Sequence, residues 1–190
     1  MRWLGIQRIE LEECGSTNDE AARLARAGAR HGTVVIARAQ RAGRGREGRP
    51  WVSPAGAGVY LSAIVRPPLP LVDVPPMTLA IGIGLCDAAR AISLEEAAGT
   101  AIDREAFIGT LLAHVELWID RYVASGVEAI IPAWTQRMAR GLVARAIIDG
   151  EPQLAVLAGL DGDGALLVRD DAGAMHRVRS GDVELVAQAC

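Results

Sequence analysis

The chain has 190 residues, 51% of them apolar, and a formal net charge of -3; that is enough for a packed core and too acidic for a general nucleic-acid binder, whose affinity needs accumulated positive charge. No apolar run reads as membrane length, since the stretch around Met77 to Leu85 carries glycines and is followed by Asp87 and Arg90, and the charged start MRWLGIQRIELEEC does not read as a signal peptide. A cytoplasmic protein with no membrane partner is expected, and because all 20 basic residues are arginine, no chemistry can use a lysine of this chain.

Cys14, Cys86 and Cys190 are odd in number and widely spaced, so neither a disulfide framework nor a zinc site is indicated and the thiols read as inert. His31, His114 and His176 have no metal-ligand spacing. No metal-ligating residues are assigned.

Trp3 to Glu12 alternates loosely and predicts a first strand. Thr17 reads as an N-cap with Glu20 three residues on, opening a helix to about Ala29 whose face of Ala21, Leu24, Ala25 and Gly28 suits close packing on a sheet. Thr33 to Ala39 is a β-branched run typical of a buried strand, and Gly58 to Arg66 alternates strictly as a second core strand. After the breaker PPLPLVDVPP a helix is expected over Met77 to Ala91. Asp103 caps a further helix, with Phe107, Leu111, Leu112, Val115, Ile119, Tyr122 and Val123 at helical spacing until Gly126; another spans about Val127 to Arg140. From Gly141 the texture changes to short strands with Asp-Gly turns, which predicts a small SH3-like β-barrel.

Between the two core strands the chain reads ARAQRAGRGREGRPW, where Arg41, Arg44, Arg46 and Arg49 are interspersed with Gly43, Gly45 and Gly48. Glycines let the backbone approach a ligand closely and guanidinium groups are forked donors for carboxylates and phosphates, so the segment reads as a flexible anion-gripping loop. The glycines satisfy GxGxxG, but a dinucleotide fingerprint must open a helix, and here Pro50, Pro54 and another strand follow. A P-loop is excluded because it requires lysine.

The combination of STND at Ser16 to Asp19, AQRAGRGREGRPW at Ala39 to Trp51 and SPAGAGVYLSAIVRP at Ser53 to Pro67 resembles the biotin protein ligases, with lipoate ligases as the nearest alternative. That resemblance implies an α/β (α+β), class II synthetase-like catalytic domain over residues 1–136 and an SH3-like domain over 137–190. It implies ATP and Mg2+, conversion of biotin to biotinyl-AMP, and transfer to a lysine of a biotin carboxyl carrier protein. On it, Ser16, Thr17, Asn18, Gln40, Gly43 and Arg44 would bind biotin, and Arg44 and Arg46 would neutralise the charge of the forming adenylate. Arg41, Gly45, Gly48, Arg49 and Trp51 would complete the adenylate loop. By residue type alone Thr17 also reads as a helix cap, Ser16 as a turn residue and Trp51 as core. With STND so early, a monofunctional ligase without a DNA-binding domain is expected.

The sequence departs from the family after Ile92. Segments resembling KWPNDL, KxxGIL and GIGIN are missing, and with them the family's central lysine and some sheet strands. A shortened sheet with exposed edges is therefore expected around residues 92–93, with either lower stability or pairing to another chain, such as a second copy in a homodimer, and a non-catalytic remnant that binds biotin or a carrier domain is the alternative to an active ligase.

Overall fold

The computed structural model describes residues 2–45, 49–97, 99, 103–138, 141–178 and 183–186. It divides into two compact units, Met1–Pro68 with Ala88–Glu116, and Leu69–Asp87 with Leu117–Cys190.

In the first unit, β1 (Arg8–Cys14), α1 (Thr17–Arg26) and β2 (Val34–Arg44) form a crossover in which β1 and β2 run parallel, from Arg8 opposite Val34 to Cys14 opposite Gln40. Two antiparallel strands follow, β3 (Pro50–Ser53) on the C-terminal end of β2 and β4 (Tyr60–Ala63) on its N-terminal end. Val34, Val35, Ile36 and Ala37 are each no more than 2% exposed because both faces of β2 are covered. Val34 and Ile36 pack with Leu4, Ile108 and Leu112, whereas Val35 packs with Ala21 and Ile64. Each such aliphatic side chain contributes about 1.5–3 kcal/mol through burial, so the register that places Gln40 at the end of β2 is strongly held. Among the described residues no further strand pairs with β1 or β4, which leaves the expected open sheet edges.

The start of the chain is tied down by one carboxylate. Buried Glu116 accepts from the backbone N–H groups of Trp3 (3.0 Å) and Leu4 (2.6 Å), and the Trp3 ring stacks on His31 with centroids 4.1 Å apart. His31 therefore has a packing role. Cys14 is buried at the end of β1, and burial with nearby Glu20 pushes its thiol pKa up, consistent with an inert group.

Several boundaries differ from expectation. Ser16, not Thr17, caps α1, its side chain accepting from Asn18 N–H, because the Thr17 hydroxyl is drawn to Gln40 instead. The helix ends at Arg26. The strand expected over Thr33 to Ala39 continues to Arg44, and the one expected over Gly58 to Arg66 is reduced to β4.

Helix α2 (Met77–Ala97) and helix α3 (Arg104–Ser125) each contribute to both units. Asp103 caps α3 as expected, its carboxylate accepting from Glu105 and Ala106 N–H at 3.1 Å each. Helix α2 runs past the expected Ala91. The stretch Leu71–Ser93 is long and apolar enough by length and composition to cross a membrane, with a mean hydropathy of 1.4 and 28% of its most apolar window buried. That corrects the expectation that no run approaches such a length: Asp73, Asp87 and Arg90 lie toward its ends, leaving a long window with few charges.

In the second unit, a short 3-10 turn (Val127–Ala129) and α4 (Ile131–Arg137) replace the single helix expected to Arg140. Asp87 on α2 binds the Arg137 guanidinium through both oxygens (2.8 Å each) and also accepts from the Trp118 indole N–H at 2.9 Å. The C-terminal strands are β5 (Val143–Ile148), β6 (Glu151–Leu160), β7 (Leu166–Arg169), β8 (Met175–Val178) and β9 (Glu184–Leu185), all antiparallel in the order β8-β7-β6-β5-β9. Their core is Ala146, Ile148, Ala155, Val168 and Val178. Among the described residues β8 and β9 do not pair with each other, so no closed barrel forms there.

His176 bonds Asp170 at 2.7 Å, and this contact, reinforced by the Ala174 N–H, holds the Asp170 carboxyl below its ordinary pKa. Stability from a depressed carboxylate is present above the unfolded-state pKa and lost as pH falls through the folded one. Urea unfolding as a function of pH should therefore show the difference between wild type and Asp170→Asn narrowing at acid pH; a difference constant with pH would contradict this account.

Candidate functional site

Parallel pairing of β1 with β2 sets the start of α1 beside the end of β2, so that residues far apart in sequence meet at one cleft. The cleft has a volume of about 400 Å³ and is lined by Ser16, Thr17 and Asn18 from the start of α1 and by Gln40 and Arg44 from β2. Trp51 of β3 lines it as well, with Val59, Tyr60, Leu61 and Ser62 in and beside β4. Gln40 is the hub. Its Oε1 accepts from Thr17 N–H (2.8 Å) and the Thr17 hydroxyl (3.1 Å), while its Nε2 donates to Ser53 Oγ at 3.1 Å. The Ser62 hydroxyl in turn donates to Thr17 Oγ1 at 2.9 Å. Ser16, Thr17 and Ser53 are buried, so these polar groups have little water to fall back on and hold one another in place.

The arginine-rich segment is a β-hairpin over much of its length. Arg41, Gly43 and Arg44 lie in β2, Pro50 and Trp51 in β3, and the Gly45 N–H to Arg49 carbonyl bond of 2.8 Å closes the two strands. This corrects the reading of a flexible loop from Arg38 onward: among the described residues, strand pairing restrains the segment on both of its arms. Each arginine there with a described salt bridge pairs with a carboxylate of a neighbouring element. Arg38 approaches Glu12 at 3.8 Å, Arg41 meets Glu13 at 2.9 Å, and Arg44 binds Asp19 in the first turn of α1. The positive charges of Arg38, Arg41 and Arg44 are thus offset within the chain, and Arg44 is held at the cleft by the helix that carries Asn18.

Of the residues expected to form the site, Ser16, Thr17, Asn18, Gln40, Arg44 and Trp51 line this one cleft. Gly43 is buried beneath it, next to the Trp51 carbonyl and Ser53 Oγ. Arg41 and Arg49 belong to the hairpin without lining the cleft, and Gly45 sits at its turn. Arg46 and Gly48 lie outside the described residues. Trp51 is 63% exposed, which removes its alternative as a core residue. Thr17 is not the cap, its hydroxyl being committed to Gln40, and Ser16, whose alternative was a turn residue, is the cap instead. Sequence reasoning assigned no role to Ser53, Tyr60 or Ser62; the signal available was the single serine in each of β3 and β4, whose partners are visible only once the strands pair.

The cleft presents hydroxyls, the side-chain amides of Asn18 and Gln40, and a guanidinium beside an exposed indole, groups chemically suited to a small ligand with polar and anionic groups. The sequence profile of the biotin/lipoate A/B protein ligase family matches residues 14–108, and that of the biotin protein ligase C terminal domain matches residues 146–186. The chain belongs to the biotin/lipoate A/B protein ligase family. It is 39% identical over 100 residues to the bifunctional ligase/repressor BirA of Bacillus subtilis, an alignment covering 53% of this chain and 29% of that protein. Over 81 residues it is 43% identical to the biotin--[acetyl-CoA-carboxylase] ligase of Mycobacterium tuberculosis, covering 40% of this chain and 29% of that one. The chain thus spans under a third of the length of these curated relatives. In fold it matches the biotin protein ligase from Aquifex aeolicus, a structure in complex with biotin and ATP, with a TM-score of 0.78 at 18% identity over 96% of this chain and 100% of that one.

Proposed function

We propose that the chain is a biotin protein ligase, with residues 1–136 forming the catalytic domain and 137–190 the closing one. The observation that carries this reading is the hydrogen-bonded set of Thr17, Gln40 and Ser62, which lines one cleft together with Ser16 and Arg44. Ser16, Thr17, Asn18 and Gln40 bind the ureido ring of biotin, whose two N–H groups and carbonyl need acceptors and donors at close spacing. A carboxylate oxygen of biotin attacks the α-phosphorus of ATP, pyrophosphate leaves, and the mixed anhydride forms. A lysine amine of a biotin carrier domain then attacks the acyl carbon, releasing AMP.

Arg44, and with it Arg46, offsets the negative charge gathered as carboxylate and triphosphate meet, an electrostatic contribution that matters most where water is excluded. Trp51 covers the ligand and limits hydrolysis of the anhydride. Among the described residues no group of three or more His, Cys, Asp or Glu side chains gathers to hold a metal ion; the Mg2+ that the family resemblance implies would be held largely by the ATP phosphates and water.

Incubation with biotin, ATP and a biotin carrier domain should label the carrier, and Arg44→Ala should cut the rate by 10-fold or more, as expected for loss of one preorganised charge. No labelling at high enzyme concentration would refute catalysis. Because the chain holds no lysine, calorimetry with biotin alone supplies the second test: binding without turnover would leave a ligand-binding remnant of a ligase.

A further inference from the structure

The side chains beneath the cleft form a chain of donors that runs one way. Ser62 donates to Thr17, Thr17 to Gln40 Oε1, and Gln40 Nε2 to Ser53 Oγ; Ser53 then donates over a longer 3.4 Å to the Trp51 carbonyl. The two ends of the Gln40 amide are thereby distinguished. Its oxygen accepts twice from Thr17, and among the described residues Ser53 Oγ is the acceptor for its nitrogen, which has a second N–H to offer the cleft. Ser53 is 3% exposed and sits on β3, opposite Gln40 in the strand register, at the point where the register shifts before Gly43. It therefore touches both the ligand-facing amide and the backbone of the hairpin that carries Trp51.

We propose that Ser53 is a positioning residue: it sets the orientation of the Gln40 amide and ties that orientation to the pairing of β3 with β2, so that Gln40 is poised for ligand only when the hairpin is formed. Its action runs through Gln40, and Ser53 has no contact with the reacting atoms. The consequence for biotin rests on the function proposed above; the effect on the Gln40 amide does not.

The experiment has two readouts on wild type, Ser53→Ala and Ser53→Cys, the last keeping the side-chain volume should the alanine variant fail to fold. In the free protein, NMR of the Gln40 side-chain amide, assigned by its disappearance in Gln40→Leu, should show one proton protected from exchange in wild type and both exposed in Ser53→Ala, with Ser53→Cys intermediate. In calorimetry with biotin, Ser53→Ala should weaken affinity by about tenfold, the scale of one buried unsatisfied polar group, and should add nothing in a Gln40→Leu background. An unchanged Gln40 amide in both Ser53 variants overturns the proposal, and so do effects of Ser53→Ala and Gln40→Leu that multiply. A Gln40 amide that responds in a wild-type protein unable to bind biotin upholds the positioning role and refutes the biotin reading instead.

Discussion

Gly32→Ala should destabilise the chain by about 4 kcal/mol, combining the cost of a side chain in left-handed backbone with overpacking that cannot relax. Gly32 has φ +81, and a Cβ built there would stand 2.3 Å from the Trp3 carbonyl oxygen and 3.0 Å from Trp3 Cε3. Trp3 has nowhere to go. Its N–H is held by Glu116 and its ring is stacked on His31, while Gly32 itself donates to the Ile64 carbonyl (2.8 Å) and accepts from Gly5 N–H (2.8 Å). This junction joins the start of the chain, the end of the β4 segment and the entry to β2, so the loss falls on the strand whose far end carries Gln40. Against the roughly 5–15 kcal/mol by which domains are stable, such a loss is large, and it should appear as a lower urea midpoint with an unchanged slope. A midpoint within error of wild type would mean that the Trp3–Glu116 anchor does not hold the segment in place.

Gly43→Ala tests the cleft where Gly32→Ala tests the frame. A Cβ at Gly43 would lie 2.8 Å from the Trp51 carbonyl oxygen, 2.9 Å from Ser53 Oγ and 3.3 Å from Gln40 Nε2. The first obstacle is backbone. To admit the methyl, β3 must move off β2, breaking the contacts of Ser53 and shifting Trp51, whereas the buried core of Val34, Val35 and Ile36 lies further along the strand and is untouched. The expected result is therefore split: stability falls by only about 1–2 kcal/mol, but, on the function proposed above, biotin affinity falls at least 100-fold because Gln40, Ser53 and Trp51 are displaced together. Calorimetry beside thermal unfolding separates the two, and retained affinity would show that the hairpin is not part of the binding site.

Much of the frame was legible from sequence because it rests on local chemistry. Asp103 before an amphipathic run is a helix cap wherever it occurs, the Asp-Gly pairs mark turns, and a run such as VVIA needs cover on both faces. Boundaries were less legible where two neighbours had the same chemistry. Ser16 and Thr17 are both good caps, and the choice between them falls to the distant Gln40, which draws off the Thr17 hydroxyl. The arginine-rich segment misled for a similar reason. Its glycines favour flexibility, but Glu12, Glu13 and Asp19 arrive beside it when β1, α1 and β2 come together, offsetting the charge and letting β2 extend to Arg44.

What the sequence by itself determined is the set of chemical groups: STND, the arginine–glycine segment and the serine-bearing strands, with the family they resemble and the absence of any lysine. Residue type and order carry that information without a fold. Only the tertiary structure decided how those groups are spent. Strand pairing put Ser53 and Ser62 on either side of the Gln40–Thr17 contact, gave Arg44 to Asp19, and left Trp51 exposed over the cleft, because hydrogen-bond partners and burial depend on distances between residues up to 45 positions apart that no local pattern encodes.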